Sequence, residues 1–194
     1  MKKILLLALC LVLAVGMAAC GSEPETDNDD EIVTEDPADQ TDPAGTGEQA
    51  EEGDLFTFAT ETFEGEAFTS DDVKDAKLVM INMWEPWCGP CVGEMPDLAR
   101  VYEEHKDEGL VILGVFSETS MDEDAAQVIS DSGVTYPILR YSSEFDVFQT
   151  GYVPTTVFLT GEGKLLSAEP IIGSQSYADW NNKVMDLLEE LGND

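Results

Sequence analysis

Positive charge is what this sequence has least of. In 194 residues, 9 Lys and Arg stand against 41 Asp and Glu, for a formal net charge of -32. A chain so acidic has too few cations to neutralise phosphates, which excludes nucleic-acid binding, and its self-repulsion keeps it soluble. Histidine is almost missing, His105 being the only one. A structural zinc site wants four ligands, and one histidine with the few available cysteines does not supply them, so no metal site is expected. Long apolar runs are also scarce. The run Ile4 to Val15 falls short of the roughly 20 residues that a bilayer-spanning helix needs. No internal repeat is visible.

The short apolar run has another use. Lys2 and Lys3 precede it and Met17-Ala18-Ala19-Cys20 follows, the layout of a secretory signal over residues 1–19 rather than of a fold element. The tetrapeptide resembles a bacterial lipobox, with Met17 where Leu is usual. That resemblance implies that Cys10 leaves with the signal and that Cys20 carries the lipid, anchoring the protein to the cell membrane as a lipoprotein. The alternative is an uncleaved membrane helix. On either reading the rest of the chain lies outside the cytoplasm, where disulfides persist. Residues 21–54 hold fourteen acidic side chains and no Lys or Arg, with Pro24, Pro37, Pro43, Gly45, Gly47 and Gly53 among them. Such a stretch buries too little to order itself. Residues 20–54 therefore read as a tether, with ends on the order of 30 Å apart, repelled by anionic lipid. A calcium- or partner-binding acidic tail is the alternative, but the acids lack regular ligand spacing.

The remaining 55–194 are long enough for one core and are expected to form a single, monomeric domain. It opens as a hairpin, Phe56-Thr57-Phe58-Ala59-Thr60 turning at Glu64-Gly65-Glu66 into Ala67-Phe68-Thr69. Leu78 to Trp84 is apolar enough for a central strand covered on both faces. A helix follows, with apolar Met95, Leu98, Val101 and Tyr102 on one side and Pro96 inside it as an expected kink. Val111–Phe116 and Thr155–Leu159 are further buried strands, Asp122–Ser132 a helix, Val134–Leu139 an extended segment and Ser142–Thr150 a short helix. Gly161-Glu162-Gly163 predicts a hairpin into Lys164-Leu165-Leu166. Ser176 and Asp179 make a capping box for a last helix whose stripe of Trp180, Val184, Leu187, Leu188 and Leu191 reads as core. Strands alternating with helices predict an α/β fold with a central mixed sheet flanked by helices.

The chemistry sits at Trp87-Cys88-Gly89-Pro90-Cys91, between a strand and a helix. With Cys10 and Cys20 assigned elsewhere, Cys88 and Cys91 are the two free thiols. Cys88 at the helix N-terminus has its thiolate stabilised by the dipole and open N–H groups, so it is the expected nucleophile. Cys91, inside the first turn, is the resolving thiol. A structural staple is the competing reading, but so short a loop removes little chain entropy.

Trp84-Glu85-Pro86-Trp87-Cys88-Gly89-Pro90-Cys91 resembles the thioredoxin active site. Val92-Gly93-Glu94-Met95-Pro96 resembles the TlpA/ResA-like branch of exported thiol–disulfide oxidoreductases, and Gly151-Tyr152-Val153-Pro154-Thr155-Thr156 matches that family's cis-proline loop. The resemblance implies a thioredoxin-like fold with an inserted strand-helix region around Glu118–Leu139. It implies a cis bond at Pro154, with Val153 free to pair with an extended substrate, and Trp87, Gly89 and Pro90 shaping the binding surface. It also implies that Glu94, on the helix face next to Cys91, accepts the Cys91 proton. Asn82 stands where thioredoxin carries a buried aspartate and cannot take a proton, which points again to Glu94. Glu85 departs from the small residue usual there, and its charge is expected to act on Cys88 or on acidic substrates. His105 is expected to be a solvated helix residue.

No cofactor is expected beyond the Cys88–Cys91 disulfide. The implied partners are protein disulfides and a membrane thiol transporter of the CcdA/DsbD kind as electron donor. The implied tasks are cytochrome c maturation or electron supply to an exported reductase. A disulfide-forming oxidase, a thiol peroxidase and a copper- or haem-binding module remain alternatives. The peroxidase would need Thr or Ser three residues before the attacking cysteine, where Glu85 stands.

Overall fold

A computed structural model describes residues 55–192. The expected signal, Cys20, the tether and the last two residues of the domain lie outside the described residues. Among the described residues no helix is long and apolar enough to cross a membrane.

The organising strand is β3, Leu78–Met83, and all six of its residues are buried. It lies third in a five-stranded sheet of order β5-β4-β3-β6-β7. β4 (Leu110–Phe116) pairs with it in parallel and β6 (Thr155–Leu159) antiparallel. Outside β4 lies β5 (Ile138–Arg140), parallel, and outside β6 lies β7 (Ile171–Ile172), antiparallel. A separate ribbon of β1 (Ala59–Glu61) and β2 (Ala67–Thr69) opens the domain. It begins later than the alternation from Phe56 suggests, because the Phe56 amide already donates to the Gly163 carbonyl at 2.8 Å.

Strand periodicity divides the core in two. Leu78, Met80 and Trp84 point to the face covered by α1 (Gly89–His105), α2 (Asp122–Asp131) and α3 (Tyr177–Gly192). Val79, Ile81 and Met83 point to the other face, where Phe58, Phe145 and Phe148 pack. A 3-10 segment, Ser143–Phe148, supplies the last two of these aromatics. Asn82 falls on the helix-covered face, the one polar residue of β3. Gly114 of β4 is on that face too, and a Cβ there would come within 2.6 Å of Ile138 and 3.3 Å of Trp84 Nε1. Its lack of a side chain leaves room for the indole under the site.

The hairpin expected at Lys164–Leu166 is present and short: around the bridge from Leu159 to Leu165, the Thr160 amide donates to the Lys164 carbonyl and the Leu166 amide to the Phe158 carbonyl, each at 2.9 Å. The turn is also packed closely: a Cβ on Gly163 (φ +91) would lie 2.2 Å from the Phe56 carbonyl, and one on Gly161 2.3 Å from that of Ala76. The hairpin pairing covers only the far end of β6. At its near end, beside the site, β7 pairs with Thr155 and Thr156.

Candidate redox site

β3 delivers the chain to the site and α1 carries it away. After Met83 the buried Trp84 turns the backbone, and Cys88 becomes the N-cap of α1 with extended dihedrals (φ -85, ψ 100). Pro90 sits in the first turn, where its missing N–H costs nothing. Cys88 and Cys91 form a disulfide. Cys88 Sγ also accepts from the Cys91 amide at 3.2 Å. Of the two, Cys88 keeps a little exposure, 5% against 0% for Cys91. Trp87 beside it is exposed. The helix runs on through Pro96 to His105.

A loop from far down the chain closes over the sulfur. The Val153–Pro154 bond is cis, and the Val153 carbonyl oxygen lies 3.6 Å from Cys88 Sγ. Three hydrogen bonds hold the loop. The Thr155 hydroxyl donates to the Tyr152 carbonyl at 2.7 Å and meets the Thr150 hydroxyl at 2.8 Å, while the Gly173 amide donates to the Pro154 carbonyl at 2.9 Å.

One turn beyond Cys91, Glu94 is buried, at 2% exposure. Asn82 Nδ2 donates to its Oε1 at 3.0 Å and to the Thr156 hydroxyl at 3.0 Å. Its Oε2 accepts from the Gln175 amide at 3.0 Å and from Trp180 Nε1 at 3.1 Å. Burial pushes the carboxyl above the usual carboxylate range. The three donors pull it part-way back, and Asp97 adds a small push upward. The group is thus closer than a free glutamate to taking a proton at neutral pH.

Two residues sit differently from the sequence expectation. Glu85 does not project at Cys88 or at solvent. It is buried, and its Oε1 accepts from the Ser117 amide at 3.0 Å and hydroxyl at 2.6 Å, its Oε2 from the Glu118 amide at 3.2 Å. It ties the strand-to-helix turn to the loop after β4. His105 is buried rather than solvated. Its Nδ1 lies 3.0 Å from Glu108 Oε2 and its Nε2 2.8 Å from Asn181 Oδ1. Two oxygens facing two ring nitrogens suit the imidazolium, which donates from both.

The sequence profile of the AhpC/TSA family matches residues 48–167. The chain belongs to that family. Among its relatives, a "Thiol-disulfide oxidoreductase ResA" of Oceanobacillus iheyensis is 33% identical over 94 residues, covering 47% of this chain and 48% of that protein. A "Thioredoxin-like protein YneN" of Bacillus subtilis is 30% identical over 111 residues, covering 55% and 63%. This AhpC/TSA chain thus spans about half the length of the first relative. Its fold matches a crystal structure of a thiol:disulfide interchange protein, thioredoxin family, from Chlorobium tepidum TLS. There the TM-score is 0.62 at 24% identity, over 72% of this chain and 99% of that one. A secreted Mycobacterium tuberculosis disulfide oxidoreductase gives 0.57 at 18% identity, over 66% and 95%. The fold is therefore thioredoxin-like, as the sequence resemblance implies.

The family match ends at residue 167, before β7 and α3. The Glu94 partners Gln175 and Trp180 lie beyond it, 81 and 86 residues from the carboxylate in sequence. The apolar stripe of α3 places Trp180 in the core, and it is core by burial. Only its indole N–H signals a second task, since a buried indole seeks a partner.

Proposed function

We propose that this protein is a membrane-tethered, extracytoplasmic thiol–disulfide oxidoreductase that reduces disulfides of partner proteins. The observation that carries the reading is the Cys88–Cys91 disulfide at the start of α1, with Cys88 against the Val153 carbonyl and Cys91 one turn from buried Glu94. The names of the relatives, thiol–disulfide oxidoreductases at about a third identity, support it.

In the reduced protein the Cys88 thiolate, favoured by the helix N-terminus, attacks one sulfur of a substrate disulfide. That S–S bond breaks, a mixed disulfide forms, and the other substrate sulfur leaves as a thiolate that takes up a proton. Cys91 gives its proton to Glu94 and attacks Cys88 Sγ. The mixed disulfide breaks, the second substrate sulfur departs with its electron pair, and Cys88–Cys91 is oxidised by two electrons. An extended substrate is received at Val153 and Pro154, between exposed Trp87 and Tyr152, while Gly89 and Pro90 keep the surface over the first helical turn low. A transporter of the CcdA/DsbD kind returns the electrons. Lipid on Cys20 and the acidic tether hold the domain near the membrane. Cytochrome c maturation and electron supply to an exported reductase are the tasks this arrangement suits.

The decisive experiment is trapping. Cys91→Ser is expected to accumulate a mixed disulfide with the partner, identified by mass spectrometry, and Cys88→Ser to accumulate none. The reverse result overturns the role assignment. A Cys88–Cys91 potential near that of glutathione, or more oxidising, replaces the reductant reading with the oxidase one. Peroxide consumed without a partner enzyme would instead favour the peroxidase reading, against which Glu85 stands, since it occupies the place of the required Thr or Ser three residues before Cys88.

A further inference from the structure

Glu94 is held from a part of the chain that the cysteine motif does not reach, and the two oxygens of its carboxylate are not equivalent. Oε1 accepts one hydrogen bond, from Asn82 Nδ2, and Oε2 accepts two, from the Gln175 amide and Trp180 Nε1. A carboxylate oxygen has two lone-pair sites, and indole and backbone N–H groups only donate. Oε2 is therefore full, and neither of its partners can turn round to accept a proton. Oε1 keeps one site open. Burial alone does not secure a partner for an indole in this domain. Trp84 Nε1 is buried and has none.

We propose that Trp180 is a positioning residue for proton transfer. With the Gln175 amide it fills Oε2, so that the proton leaving the Cys91 thiol is received on Oε1, beside Asn82. The inference rests on the reading of Glu94 as the proton acceptor. In this step the Cys91 S–H bond breaks and an O–H bond forms on Oε1, whose other lone pair still accepts from Asn82. The thiolate left on Cys91 then closes the disulfide and releases the reduced substrate. Trp180 and Gln175 keep donating to Oε2 throughout, so the carboxyl does not rotate as it gains the proton.

The other titratable groups that face this carboxyl are Asp97 of α1, Tyr136 in the approach to β5 and the cysteine pair itself. Asn82 of β3, Thr156 of β6 and the two α3-side donors are neutral. Of these, Asp97 takes no part in the reaction and lies on the same helix as Glu94.

The test follows the side-chain carboxyl carbon of Glu94 and the Trp180 indole N–H by NMR during an acid-to-alkaline titration of the oxidised full-length protein. The indole resonance is expected to move with the Glu94 midpoint. An indole signal that ignores that midpoint overturns the proposal, and this arm needs no variant. Trp180→Phe removes one donor and keeps an aromatic ring. It is expected to raise the Glu94 midpoint by about one pH unit. The pH profile of mixed-disulfide collapse, measured by rapid mixing, should rise by the same amount. A purely structural role would lower the amplitude or the melting temperature and leave both midpoints in place, which would sink the assignment of Trp180 alone. A Glu94 midpoint that moves by NMR while the collapse profile stays put removes Glu94 from the reaction, and the proposal with it.

Discussion

Two buried glutamates flank the disulfide, three residues before Cys88 and three after Cys91, and they do opposite work. Glu85 accepts from two backbone amides and a hydroxyl of one loop, residues 117 and 118. Those donors are close in sequence and lock a turn in place. Glu94 also accepts three hydrogen bonds, but from three separate places: β3, the segment before α3, and α3 itself. Its environment is the helix-covered core, where burial holds the carboxyl above the usual carboxylate range. Equal numbers of hydrogen bonds therefore do not make equal groups. What differs is how much water each carboxylate has given up, 2% exposure for Glu94 against 7% for Glu85, and how far apart in the chain its donors lie.

That contrast can be broken in several ways, beginning where the effect is largest. Glu94→Gln should slow collapse of the mixed disulfide at neutral pH by about 100-fold, and Glu85→Gln by no more than a few-fold. Equal losses in stopped-flow measurements would erase the distinction. Glu85→Ala should cost about 2 kcal/mol of unfolding free energy in urea, because it leaves the Ser117 and Glu118 amides without their acceptor. Glu94→Gln should do the reverse above neutrality. A carboxyl whose folded pKa is raised contributes stability that is full below its unfolded value and is lost as pH rises through the folded value. The amide does not titrate, so the variant should melt a few degrees higher than the wild type at pH about 8, and the gain should vanish in acid. Asn82 can accommodate the change by turning its amide, with the Thr156 hydroxyl donating in place of accepting.

The smallest expected effect is at His105, a buried group of the other sign far from the disulfide. Burial pulls its pKa down, but hydrogen bonds to Glu108 and Asn181 and the charges of Glu108 and Glu104 push it up further. Its contribution should be full below pH about 6.5 and fade as pH rises through the raised folded value. His105→Gln should then cost about 1 kcal/mol at pH about 5.5 and less at pH about 8, read by thermal melts at the two values. A cost that grows with pH would reverse the assignment.

The site was legible where its chemistry is local. Cys88, Cys91 and Glu94 lie within seven consecutive residues, and helix geometry alone relates them. The cis bond before Pro154 was legible through a second short string. The misplaced residues are those whose partners lie far off in sequence. Nothing near His105 announces Asn181, 76 residues away, and nothing near Glu85 announces Ser117 and Glu118, 32 and 33 residues on. Strands were legible when long and apolar, as in β3, β4 and β6. β7 is two residues long, too short for any alternation to show in the sequence.

The short stretch from Ile171 to Tyr177 does more than close the sheet edge. Within it Gly173 holds the cis-proline loop, Gln175 holds Glu94 and the Tyr177 N–H meets Asp97. The cysteine octapeptide is therefore not a portable part. Transplanted into another scaffold, or left in a chain cut before Ile171, it would keep its sulfurs and lose the groups that hold Glu94 and the cis-proline loop in place.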